Sequence, residues 1–203
     1  GKPDNTFISK LNVRPTTVIT TGELQRAACC NLAESFETNA SVDVSYSDAI
    51  SGARQIQLLG LSGIYSQIMT ENVPLIRGLA TPFGLNYIPG SWMESIQIAK
   101  GTSSVVQGCE SITGQINVEY KKPESSSKFF INLYGNSNLR FEANADGAIK
   151  INDKLSTSLL VHAATFQNKF DRNIVVQPDS TDGFMDMPKI TTVTAMNRWD
   201  YII

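Results

Sequence analysis

Three cysteines, one histidine and five methionines are the residues of this 203-residue chain best suited to soft-metal or redox chemistry. Their spacing argues against most of it. Cys29 and Cys30 are adjacent. That permits a strained vicinal disulfide or a soft-metal pair, but no Cys-x-x-Cys and no nearby histidine completes a closed zinc site. With Cys109 they are too few for a disulfide framework, and the plainer reading is small apolar residues buried beside a helix start. His162 stands within an alternating strand, without an identifiable catalytic partner. Asp179, Asp182 and Asp186 surround Gly183 in a loop that lacks EF-hand order, so a solvated acidic loop is the better reading. Met185 and Met187 form a soft-donor pair whose spacing selects no metal. Gly60-Leu61-Ser62-Gly63 does not match the nucleophile elbow G-x-S-x-G. Lys100-Gly101-Thr102 lacks the upstream glycines of a phosphate loop. The expectation is a protein that is not an enzyme, with neither cofactor nor resident metal.

Composition narrows the class further. Seventeen Lys and Arg against 19 Asp and Glu leave a formal charge of −2, without the basic stripe of a nucleic-acid binder. A hydrophobic content of 41% supports a packed core. Charged residues make up only 18%, replaced by Ser, Thr, Asn and Gln. That balance suits long, half-buried strands better than charged amphipathic helices. No apolar run reaches the roughly 18 residues of a spanning helix. Gly1-Lys2-Pro3-Asp4-Asn5 has neither the basic start nor the apolar stretch of a secretory signal.

The first half of the chain mixes short elements. Val18-Ile19 reads as a strand feeding a helix through Leu24-Gln25-Arg26-Ala27, with Thr20 and Glu23 at capping-box spacing. Asn31 can cap a second helix, Leu32 to Thr38. Val42 and Val44 alternate with polar neighbours, and Gln55 to Leu59 and Tyr65 to Met69 predict two strands around a tight turn. Arg77 to Pro89 carries Gly78, Pro82, Gly84 and Pro89 and reads as a loop. Trp92 to Ser95 predicts a helical turn, and Ser95 to Ala99 and Ile112 to Tyr120 predict strands. This is an α+β domain, ending at Lys121-Lys122-Pro123.

After the linker Glu124-Ser125-Ser126-Ser127 the texture changes. From Leu139 to Ile151 every odd position is apolar or glycine, and the even positions are polar apart from Ala148. Asn152-Asp153-Lys154 is a tight turn, after which Leu155, Thr157, Leu159, Val161 and Ala163 resume the alternation. Lys128 to Tyr134 and Ile190 to Ile203 supply two more strands, the latter with Trp199 and Tyr201 placed for an aromatic girdle. Runs this long exceed the ordinary strand and suit a barrel wall with lipid outside and water inside. A soluble β-sandwich is the alternative.

One continuous stretch carries a resemblance. Met93 to Gly101, Ser103 to Gly108, Ile112 to Val118 and Lys121-Lys122-Pro123 match, in order and spacing, the pattern I-E-x-I-E-V-x-K-G-P-x-S-x-x-Y-G-x-x-A-x-x-G-x-I-N-I that ends the plug of TonB-dependent outer-membrane receptors. Upstream, Val18-Ile19-Thr20 with Glu23-Leu24, Asn39 to Val44, and Glu71 to Leu75 are similar to the family's V-I-x-x-E-x-I, L-P-G-V-x-V and D-G-V-P segments. The sequence departs from the family at Leu58-Leu59-Gly60, where an arginine is usual, and at Glu71-Asn72 and Gln107-Gly108. The resemblance implies an α+β plug domain, a small mixed sheet with short helices, over residues 1–123. A linker over 124–127 would lead into the first antiparallel strands of a transmembrane β-barrel over 128–203, in all a truncated fragment. Eighty residues remain after Pro123 (203 − 123), room for about four strands, whereas the smallest barrels need about eight. An unpaired edge that favours self-association is expected.

The function so implied is energy-coupled import without local chemistry. A scarce nutrient such as an iron chelate, haem, cobalamin or another metal complex would bind on plug apices and barrel loops at the bacterial outer membrane, with lipid around the full barrel. TonB would then grasp an N-terminal segment, which is not recognisable before Lys10, and remodel the plug. The segments matching the apices are Ser62-Gly63-Ile64-Tyr65 and Arg77 through Tyr87. Ser62, Gly63, Tyr65, Arg77, Phe83, Asn86 and Tyr87 are the expected ligand contacts, since binding groups concentrate on loops. A glycan importer, or a soluble β-rich binding or adhesion module, is the alternative function.

Overall fold

A computed structural model describes residues 6–9, 15–26, 31–36, 42–48, 53–103, 110–137, 139–167 and 189–202. The chain falls into two compact units, one of Gly1–Ser47 with Arg54–Lys121, the other of Asp48–Ala53 with Lys122–Ile203.

The described residues before 121 hold eight strands: β1 (Phe7–Ser9), β2 (Thr16–Thr20), β3 (Asp43–Asp48), β4 (Ala53–Gln57), β5 (Ser66–Thr70), β6 (Val73–Ile76), β7 (Met93–Lys100) and β8 (Gly114–Tyr120). Six of them form a mixed sheet in the order β1-β2-β7-β8-β5-β6, while β3 and β4 pair with each other. The parallel pairing in the sheet sets Ser66 opposite Gly114 and Thr70 opposite Val118. Parallel neighbours require a long crossover, and here β6, a helix and β7 lie between β5 and β8. Alternation decides which face is dry. Ile19, Ile68, Ile96, Ile98, Ile116 and Val118 enter a single cluster with Leu24, Leu32, Phe36, Leu58, Leu85 and Ile88. Each fully buried side chain of this kind contributes about 1.5–3 kcal/mol.

The short elements differ from their sequence signals in instructive ways. Helix α1 spans Thr21–Arg26, but the Thr20–Glu23 capping box does not form. Tertiary partners take its side chains: Glu23 accepts from the Thr6 amide at 2.9 Å and from its hydroxyl, and the Thr20 hydroxyl is buried with no hydrogen-bond partner among the described residues. Thr21 instead donates to the Glu94 carbonyl at 2.6 Å. Asn31 does cap, accepting from the Glu34 amide at 3.1 Å, yet it opens only a single 3-10 turn, Glu34–Phe36. The turn predicted over Trp92 to Ser95 lies at Gly90–Trp92, and Met93 already belongs to β7.

The largest correction concerns Arg77 to Pro89. Instead of a loop it holds a 3-10 turn, Gly78–Ala80, and helix α2, Thr81–Tyr87. Pro82 is tolerated because it sits in the first turn, where its missing amide would be unpaired anyway. Gly84 is tolerated because the helix approaches β6 so closely that a Cβ there would overlap the Ile76 side chain. Helix-breaking residues here mark position and packing, which their types alone do not reveal.

In the second unit β9 (Phe130–Gly135), β10 (Arg140–Lys150), β11 (Leu155–Phe166) and β12 (Ile190–Tyr201) form an antiparallel meander in the order β12-β11-β10-β9. Asn152 shapes the tight turn between β10 and β11, its Oδ1 accepting from the amides of Lys154 at 2.9 Å and Leu155 at 2.8 Å. Burial is the reverse of a soluble sheet. Glu142, Asn144, Asp146, Ser158 and His162 are buried, whereas Phe141, Ile149, Leu159, Val193, Trp199 and Tyr201 are exposed. His162 Nδ1 lies 2.7 Å from Asn144 Oδ1, directly across the β10–β11 pair, so it is a wall residue with a hydrogen-bonding partner. No helix among the described residues is long and apolar enough to cross a membrane.

Candidate functional site

The 3-10 turn Gly63–Tyr65 leads directly into β5, and Ser62 precedes it with its hydroxyl 3.3 Å from Gln55 Oε1. Gly63 is buried, and a Cβ on it would stand 2.7 Å from the carbonyl oxygen of Ile56 in β4. The residue therefore fixes how closely the turn sits on β4 and presents nothing to solvent. The carbonyl of Tyr65 gathers three donors from the segment before β8: the amides of Ile112 at 2.9 Å and Thr113 at 3.0 Å, and the Thr113 hydroxyl at 3.0 Å. Ser66 and Thr113 add a hydroxyl pair at 2.8 Å. Residues 62–66 and 110–113, distant in sequence, are thus bound together where β5 and β8 begin.

Helix α2 packs against the same turn. Arg77, just ahead of it, pairs with Glu110 at 3.2 Å. Both segments expected at the apex are therefore brought to one end of the plug sheet. Tyr65 and Tyr87 are exposed there and Asn86 is half-buried. The Phe83 side chain lies outside the described residues. Sequence reasoning missed Glu110 and Ile112 as members of this end. No local pattern marks them, since they arrive through the parallel β5–β8 pairing. Ile64, named within its segment but not as a contact, is among the most exposed large apolar residues.

The opposite end of the sheet is a polar network. Glu71 and Asn72 turn β5 into β6 with φ of 52° and 64°, the left-handed region that the family's Asp-Gly would also occupy. The turn is held by Glu71 N–H to the Val118 carbonyl at 2.9 Å and by Asn72 N–H to Asn117 Oδ1 at 2.8 Å. Glu71 Oε1 accepts from the Tyr120 amide at 3.3 Å. Burial, reinforced by the Glu71 carboxylate, pushes the Tyr120 phenol up to about 12. Its ring meets Trp92 edge-on at 6.4 Å. Nearer the N-terminus, Arg54 pairs with Glu34 at 3.4 Å in a half-buried setting.

Among the described residues, no group of three or more His, Cys, Asp or Glu is placed to hold a metal. Cys29, Cys30, Cys109, Asp179, Asp182, Asp186, Met185 and Met187 lie outside the described residues.

Comparison with known proteins bears on the whole arrangement. The family model "TonB-dependent Receptor Plug Domain" matches residues 10–115. The vitamin B12 transporter BtuB of Vibrio vulnificus is 25% identical over 132 residues, covering 65% of this chain and 22% of that protein. The ferripyoverdine receptor FpvA of Pseudomonas aeruginosa superposes with a TM-score of 0.67 at 15% identity, over 81% of this chain and 22% of FpvA. The ferric yersiniabactin uptake receptor FyuA of Yersinia pestis gives 0.64 at 18% identity, over 80% of this chain and 26% of FyuA. At these identities the superpositions establish the fold. The chain spans about a quarter or less of the length of these relatives. A mixed plug sheet, an apex assembled from distant segments and a family match over more than half its length place this chain in the TonB-dependent receptor family.

Proposed function

We propose that residues 1–123 are the plug, and residues 128–203 the first wall strands, of an outer-membrane receptor importing a scarce metal complex with energy delivered by TonB. The observation that carries this reading is the meeting of the 62–65 turn, the 110–113 segment and α2 at one end of the sheet. It exposes aromatic and polar groups drawn from segments that can be displaced separately. The relatives' names add support: BtuB is called a vitamin B12 transporter, and FyuA a ferric yersiniabactin uptake receptor. The wall assignment draws on the reversed burial of β10–β12, because a strand with an exposed apolar face and a buried polar face is costly in water and favourable between lipid and an aqueous lumen. Import of this kind needs binding, release and a moving plug, and no bond-making group.

The test uses the full-length receptor in a strain that depends on it for a ferric siderophore or for cobalamin. Uptake is expected to require TonB and to fall with Arg77→Ala and with Tyr87→Ala while the plug stays folded. Uptake that proceeds without TonB removes the energy coupling, and unchanged uptake in both variants removes the apical assignment. A full-length protein that is monomeric and stable without detergent removes the receptor reading altogether.

A further inference from the structure

The charge and polarity of the apex discriminate between ligand classes. Its most exposed side chains are Ile64, Tyr65, Tyr87 and Ile112. Residues 57–65 carry no charge, Arg77 is the one charged residue of 77–91, and Glu110 the one of 101–113. Arg77 and Glu110 neutralise each other at 3.2 Å. The next cation along the chain, Lys100, is exposed at the end of β7. We propose that this apex takes an electroneutral ligand with an apolar face, and discriminates against anionic metal chelates. The inference rests on the receptor reading above and concerns only which ligand class the same site accepts.

The physical argument has two parts. An apolar ligand face laid on Ile64 and Ile112 removes hydrocarbon from water on both partners, and the Tyr65 and Tyr87 hydroxyls remain available as hydrogen-bonding edges. A polyanionic chelate meets a different surface. To use Arg77 it must displace Glu110, leaving that carboxylate unpaired beside the ligand's own negative charge, and like charges brought together are disfavoured. A site built for anions shows the opposite arrangement, with several cations free to form charge-assisted hydrogen bonds.

The experiment measures binding to the full-length receptor in detergent micelles with two probes, electroneutral cyanocobalamin and a trianionic ferric tris-catecholate, at about 50 mM and about 500 mM salt, which spans the change from weak to strong screening. The corrinoid is expected to bind with a Kd that changes less than about twofold across that range. Ile64→Ser and Ile112→Ser, both at exposed positions, should together weaken it about tenfold. The neutral double variant Arg77→Gln/Glu110→Gln should leave its Kd within about twofold, since the pair's charges cancel before and after. Tighter binding of the catecholate with a Kd that rises with salt, loss of corrinoid binding in the double variant, or failure of the corrinoid to bind at all each overturns the inference. The receptor reading is separated by a further arm, capture of the same receptor by the periplasmic domain of TonB, which depends on neither probe.

Discussion

Replacing Gly63 by alanine tests whether the apex is held by close backbone contact. A Cβ at Gly63 would lie 2.7 Å from the Ile56 carbonyl oxygen and 3.2 Å from its amide nitrogen. An ordinary carbon–oxygen approach is about 3.3 Å, so the turn or β4 must retreat by about 0.6 Å. β4 cannot yield cheaply, because Ile56 is buried in the core cluster. The turn cannot yield cheaply either, because the Tyr65 carbonyl holds three donors from residues 112 and 113. Overpacking of this kind costs about 1–3 kcal/mol. Gly60 supplies the control: its φ is +76° and nothing stands within 4 Å of its Cβ position. Gly60→Ala therefore carries only a conformational cost of about 1 kcal/mol. The assay is urea unfolding followed by fluorescence of buried Trp92. The exposed Trp199, the chain's other tryptophan, is replaced by Phe in every variant. A Gly63→Ala midpoint free energy within about 0.5 kcal/mol of the parent, or a smaller loss than Gly60→Ala, refutes the close-packing argument.

Three further perturbations probe other parts of the molecule. The Tyr120 phenol is raised to about 12 in the fold from an ordinary 10, mainly by burial and secondarily by Glu71. The unfolded chain thus loses this proton first: stability is unaffected below about pH 10, falls between about 10 and 12, and levels off above. Tyr120→Phe should flatten that part of the unfolding-versus-pH curve, and identical alkaline slopes in parent and variant would count against it. Arg54→Ala should cost about 3 kcal/mol in urea unfolding, because Arg54 and Glu34 retain side-chain exposures of only 12% and 14%. Arg77→Ala should cost under about 1 kcal/mol at 48% and 39% exposure, and equal losses would contradict the burial argument. Leu159→Arg places a charge on the exposed apolar face of β11 and should impair insertion of the full-length receptor into lipid vesicles by about 2–4 kcal/mol. Asn132→Arg lies on the face of Asn144 and should insert normally, so equal insertion of both variants refutes the lipid-facing assignment.

Much of the fold was legible in the chain alone, and where legibility stopped has a physical reason. Periodicity is a local property, so Ile96 and Ile98 in β7, Ile116 and Val118 in β8, and the two-residue repeat of β10 and β11 announced both the strands and their dry faces. Helix signals fared worse where tertiary partners competed for the same atoms. Glu23 serves Thr6 instead of a cap, and Pro82 and Gly84 belong to α2 because of where each sits in it.

The order of motifs along the chain sufficed to place it in its family, because glycine spacing and strand alternation are written residue by residue. The sheet order was not so written. β5 and β8 are joined in parallel across more than forty residues, and that pairing brings Glu110 to Arg77 and Ile112 to Tyr65. Sequence determined which residues form the strands and which segments carry the apex. Tertiary structure decided that the apex is one electroneutral, largely apolar surface, because electrostatic and hydrophobic complementarity depend on neighbours in space and not on neighbours in the chain.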